Sequence, residues 1–160
     1  MFENLTSVLN DFGKFLVEEY RDNLILENVN ASDNLYNSVK YMVERGENVF
    51  EVKLNLAFYW KYVENGRRAG GKMPPISAIE KWIEVKPVLP RPMTNGKLPT
   101  NRQLAYLIAR KIAVEGIAPR PLLQQSVEEV LNVMKQYITE ALAKDLEKEV
   151  TTLFLGMGRR

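Results

Sequence analysis

A chain of 160 residues with 46% apolar and 26% charged side chains can bury a real core, hiding about two-thirds of its unfolded surface, and is too apolar for wholesale disorder. It contains no cysteine and no histidine, which excludes disulfides, thiolate and imidazole metal ligands, cysteine nucleophiles and histidine acid–base catalysis, and with them most familiar hydrolase mechanisms. The net charge of +2 hides a strong asymmetry: residues 1–65 carry 6 basic and 11 acidic side chains (net −5), residues 66–111 carry 10 and 2 (net +8), and residues 112–160 carry 6 and 7 (net −1).

Leu5, Val8, Leu9, Phe12, Phe15, Leu16 and Tyr20 recur at spacings of three and four, with Asp11, Lys14, Glu18 and Glu19 mostly between them. That period predicts an amphipathic helix of about twenty residues. It ends before Asn28-Val29-Asn30, whose residues favour turns. Beyond Ser32 and Asp33 comes an ambiguous Leu35-Tyr36 stretch. Val39, Tyr41 and Val43 then alternate with Lys40, Met42 and Glu44, the period of a strand. Arg45 to Asn48 supply a turn, and Phe50, Val52, Leu54 and Leu56 alternate with Glu51, Lys53 and Asn55 on the return. The pair is a β-hairpin. Two strands alone are marginal in water, so it must pack on helices or gain strands from elsewhere in the chain or from another copy.

Phe58 to Gly66 is dense in aromatics and closes on a glycine suited to a helix C-terminus, which predicts a short helix with Tyr59, Tyr62 and Val63 on one buried face. The basic loop Arg67 to Met73 runs into Pro74-Pro75, which favour a helix start, and Ser77 and Glu80 have the spacing of a capping box. Ile76, Ile79, Trp82 and Ile83 form the apolar stripe of this helix, which stops before Pro87. Residues 87–100 hold four prolines and Asn95-Gly96. They predict an irregular loop or arm, either reaching a neighbour or disordered. Thr100 or Asn101 caps the next helix, in which Leu104, Leu107, Ile108 and Ile112 share a face, and Gly116 ends it. Pro121 opens a long last helix with Val127, Val130, Leu131, Met134, Ile138, Ala141, Leu142 and Leu146 along one side, running past residue 150. The expected fold is therefore α+β in a single domain over residues 1–160: an N-terminal helix, a small antiparallel sheet with a hairpin, flanking helices and a long C-terminal helix. Residues 151–160 read as a final extension.

Three motifs bear on chemistry. Gly66 to Lys72 has the spacing of a P-loop, but Met73 stands where a Ser or Thr must hold magnesium, and two prolines delete N–H donors at the following helix start. Residues 100–131 allow a helix-turn-helix and hence a DNA-binding regulator as the alternative function, although Glu128 and Glu129 lie near the reading end and no Lys or Arg appears between Leu122 and Lys135. The cationic block is either a solvated face or a surface for phosphates or an acidic neighbour. No cofactor or metal is expected, and no enzyme. No apolar run is long enough to cross a bilayer, and the start Met1-Phe2-Glu3-Asn4 lacks the basic residues of a signal peptide, so the expected site of synthesis is the cytoplasm.

From Tyr59 onward the wording becomes specific. Tyr59 to Arg68 (YWKYVENGRR), Met73-Pro74-Pro75, and Ile79 to Lys86 (IEKWIEVK) are followed by Ala105 to Ile112 (AYLIARKI) and Glu115-Gly116-Ile117-x-Pro119-Arg120-Pro121. In order and spacing these blocks resemble the neck or tail-completion family of tailed phages, over roughly 65 residues. The resemblance implies a structural virion protein, a ring of six or twelve copies around the DNA channel that joins portal and head to tail. Its implied partners are itself, portal or adaptor proteins and tail proteins, with non-specific contact to channel DNA allowed and no membrane. Its place is the virion, after a stay in the host cytoplasm. Trp60, Tyr62, Glu64, Arg67, Arg68, Lys72, Trp82, Arg91, Lys97 and Arg120 are the candidate subunit-interface or DNA-facing residues.

Overall fold

A computed structural model describes residues 2–29, 34–47, 49–57, 59–86, 88–92, 94 and 96–157. In chain order the elements are α1 (Glu3–Leu26), α2 (Asn34–Ser38), β1 (Lys40–Arg45), β2 (Phe50–Asn55), α3 (Trp60–Glu64), α4 (Ile76–Val85), α5 (Asn101–Glu115) and α6 (Leu122–Met157). The α+β class is as the sequence predicts, with a long helix at each end and a single hairpin as the sheet among the described residues. The chain divides into two compact units, one of Met1–Asn23, Val39–Leu56 and Leu123–Arg160, the other of Leu24–Ser38 and Ala57–Leu122.

The first unit is built on the apolar stripes of its two long helices. Phe12 and Leu16 of α1 meet Val130 and Met134 of α6, with Val8, Val127 and Ile138 around them. The hairpin closes this cluster: Val52 and Leu54 of β2 pack against it. That contact supplies the burial two isolated strands lack. Register pairs Val43 with Val52 and Tyr41 with Leu54, which puts these four side chains on one face. The Tyr41 ring lies so close to α1 that a Cβ on Gly13 would come within 2.3 Å of it. A glycine inside a helix costs about 1 kcal/mol relative to alanine, and here it makes room for the sheet. On the outer face Glu44 stands opposite Glu51, and Lys53 bridges both.

Two buried polar groups on α6 fix how it lies along α1. Ser126 Oγ accepts from Asn23 Nδ2 at 2.9 Å. Near the other end Asp145, only 2% exposed, accepts from the backbone N–H of Leu5 at 2.8 Å and of Asn4 at 3.3 Å, and from Asn4 Nδ2 at 2.7 Å. These are otherwise unpaired donors of the first turn of α1, and the carboxylate also faces the positive end of the helix dipole. Contacts 23-with-126 and 4-with-145 make the two helices antiparallel.

In the second unit α1 ends in a Schellman turn. Asn28, at φ +50°, is the left-handed residue, with Val29 N–H bonded to Leu24 O and Asn28 N–H to Ile25 O. Thr100 and Gln103 form a complete capping box at the start of α5. The box expected at Ser77 and Glu80 does not form: α4 begins at Ile76 with Pro75 as its N-cap, and no side-chain cap bond is made. Proline fixes the entry angle on its own, leaving Ser77 already inside the helix. Ala105 and Ala109 are fully buried, and their small side chains let α5 pack closely on α4.

Burial alone would raise the Asp145 carboxyl, but the bonds from Leu5 and Asn4 outweigh it and hold its pKa below the ordinary 3.8. A depressed carboxylate adds stability that is present above its unfolded pKa and lost as pH falls through the folded one. Thermal melts should therefore show the parent losing stability below about pH 4. Asp145→Asn should melt lower near neutral pH and lose less on acidification. Equal midpoints at neutral pH would rule out this role for the cap.

Candidate functional site

Two segments 50 residues apart in sequence meet in the second unit. After α3, Gly66 turns the chain at φ +65°, and after α5, Gly116 turns it at φ +79°. Arg67 and Ile117 then pair antiparallel, each N–H donating to the other's carbonyl at 2.8 Å. The glycines make this approach reciprocal. A Cβ on Gly66 would sit 2.2 Å from Ile117 O, and one on Gly116 would sit 2.2 Å from Arg67 O. Gly116, with ψ −161°, also occupies a backbone region essentially reserved for glycine. Gly70 N–H to Ala113 O at 2.8 Å and Arg120 N–H to Val63 O at 2.9 Å extend the latch on either side.

The latch sorts the sequence-predicted residues. Tyr62, Trp82 and Arg120 come together in a groove of 350 Å³, with Tyr59, Val63, Lys86, Ile117, Asn28 and Val29. Tyr62 is 55% and Trp82 38% exposed, so the expected burial of Tyr62 is corrected: on a helix of five residues it falls on the solvent side. Arg67 is half-buried and its guanidinium Nη2 donates to Lys72 O, which holds the basic loop in a closed turn. Lys72 lies with Arg102 along a second hollow beside Pro74 and Pro75. Trp60 and Glu64 are half-buried in α3, while Arg68, Arg91 and Lys97 are exposed and line neither depression.

The cations at the groove are occupied by backbone. Arg120 Nη1 donates to Glu27 O at 3.0 Å, and Lys86 Nζ donates to Asn28 O and, at 3.0 Å, to its Oδ1. Both carbonyls lie just past the end of α1, where a helix presents partial negative charge. Arg120 thus anchors this end of the unit, while Arg68, Lys72, Arg102, Arg110 and Lys111 are exposed or line the hollow and form the outward basic surface. Sequence reasoning missed Lys86, because only the fold brings it to Asn28. It did not single out Arg102, although its place in the +8 block was a signal.

The arrangement offers an aromatic groove and a cationic exterior. Searches of protein-family models, curated proteins and solved structures find no match to the chain.

Gly116→Ala should destabilise the protein by about 2 kcal/mol or more, because it adds both a left-handed-region penalty and a clash with backbone. Urea unfolding measures this. A cost near zero would mean that the latch can open without loss.

Proposed function

We propose that the chain is a non-enzymatic structural subunit of a tailed-phage particle, forming a ring at the neck that joins portal and head to tail around the DNA channel. The observation that carries this reading is the convergence of two blocks of the resemblance. Glu64 to Arg68 and Glu115 to Pro121 are remote in sequence, yet they build one latch through Gly66 and Gly116. The likeness therefore follows a structural unit rather than scattered composition.

Exposed apolar surface supports an assembling role. The last turns of α6 carry Val150, Leu153, Phe154 and Leu155 outward, with Phe154 70% exposed. Large apolar side chains gathered in this way mark contact surfaces. The charge asymmetry suits head-to-tail contacts, since such contacts join two different patches of the same chain.

Size-exclusion chromatography with light scattering should find closed oligomers of the full chain, or its capture by a phage portal complex. A chain that stays monomeric and ignores connector partners would overturn the reading. Sequence-selective retardation of duplex DNA with a steep salt dependence would favour a regulator instead.

A further inference from the structure

α5 has two unlike faces. Ala105, Ala109, Ile108 and Ile112 are wholly or partly buried, whereas Tyr106, Arg110 and Val114 lie exposed at helical spacing on the other side, Val114 at 64%, joined by Leu107, which the sequence had grouped with Ile108 and Ile112 and which is 46% exposed. Arg102 and Lys111 flank this outer stripe. Among the described residues Lys111 pairs with Glu115 of its own helix, at 3.6 Å and well exposed, a contact of little strength. The outer face is thus apolar in the middle and cationic along its length.

The first unit holds its complement. A groove of 490 Å³ runs between α1 and α6, with Phe15, Val130, Val133 and Met134 as its apolar lining and Glu18, Glu19, Asp22 and Glu129 around them. Val133 is 68% exposed and Phe15 nearly half, so the apolar lining is open to a partner. The Glu19 carboxyl is raised above its ordinary 4.5 by a hydrogen bond with Glu129, then by burial and the charges of Glu129 and Asp22. An incoming cation would relieve that crowding.

We propose that the outer face of α5 on one copy docks into the acidic apolar groove between α1 and α6 of a second copy. The inference rests on the ring reading above and names its contact surfaces. Tyr106, Leu107 and Val114 enter the apolar groove, while Arg102, Arg110 and Lys111 face the carboxylates. Burying the apolar centre strengthens the ion pairs at its edge by excluding water. Each copy uses its face once and its groove once, so the contact is heterologous, the kind that the proposed ring repeats from copy to copy.

The test is a charge exchange in the full chain. Arg102→Glu/Arg110→Glu makes the helix face acidic, and Glu18→Arg/Glu129→Arg makes the groove basic. All four positions are exposed, and melting curves check that each variant folds. Each variant alone should dissociate at a concentration roughly tenfold or more above the parent. Mixed in equal amounts they should reassemble, because both contacts in an alternating ring are again opposite in charge. Oligomers that ignore the reversals overturn this interface but leave the neck reading standing. So do variants that dissociate and fail to recombine, or a face whose reversal abolishes duplex DNA binding without changing the oligomer. A parent that never associates overturns the interface, and the neck reading falls as well only if a portal complex also fails to capture it.

Discussion

Two carbonyl oxygens sit where side chains would otherwise be. Gly66 and Gly116 each leave a gap of one Cβ, and the opposing strand fills it, so that Arg67 and Ile117 exchange two backbone hydrogen bonds. The rest of the second unit depends on this close approach. It ends α3 and α5 at one point, aims the basic loop outward, and sets the Pro119-Arg120-Pro121 corner where the Arg120 side chain reaches Glu27 O. Buried backbone groups must be paired, and here the pairing itself joins segments that are remote in sequence.

The first unit solves the same problem with side chains. Its two long helices would slide along an apolar seam with little penalty. Asp145 and Ser126 oppose that freedom, because a displaced α6 would take a buried carboxylate from its donors on Asn4 and Leu5 and part Ser126 from Asn23. Once the register is fixed, the residues that α6 does not spend on α1 fall in defined places. Val133 and Glu129 line the acidic groove, and Phe154 and its neighbours lie exposed near the end of the helix.

Much of this was legible in the sequence, and for physical reasons. The three-and-four spacing of α1, the alternation of the hairpin, Thr100 as a cap and Gly116 as a stop are all local signals, and each marks its element. What the sequence concealed was non-local. Asp145 looks like one more charge on a solvated helix until Asn4 and Leu5 arrive. Lys86 gives no hint of Asn28. The Ser77-Glu80 spacing was a local signal overruled by another, the rigid entry of Pro75. Tyr62 was misplaced because a helix of five residues is too short for a periodic stripe to decide its buried face. The candidate site was half visible: the cationic block and aromatic cluster could be read, but not that Arg120 serves the fold while α5 offers the outward face.

The central claim is that these surfaces assemble copies of the chain into a closed ring. Native mass spectrometry of the full chain over a range of salt concentrations tests it most directly. The account predicts one discrete species, of six or twelve copies, that gives way to monomer as salt rises and screens the ion pairs at the edges of each contact. An open-ended series of masses, or a monomer at every salt concentration, would contradict it.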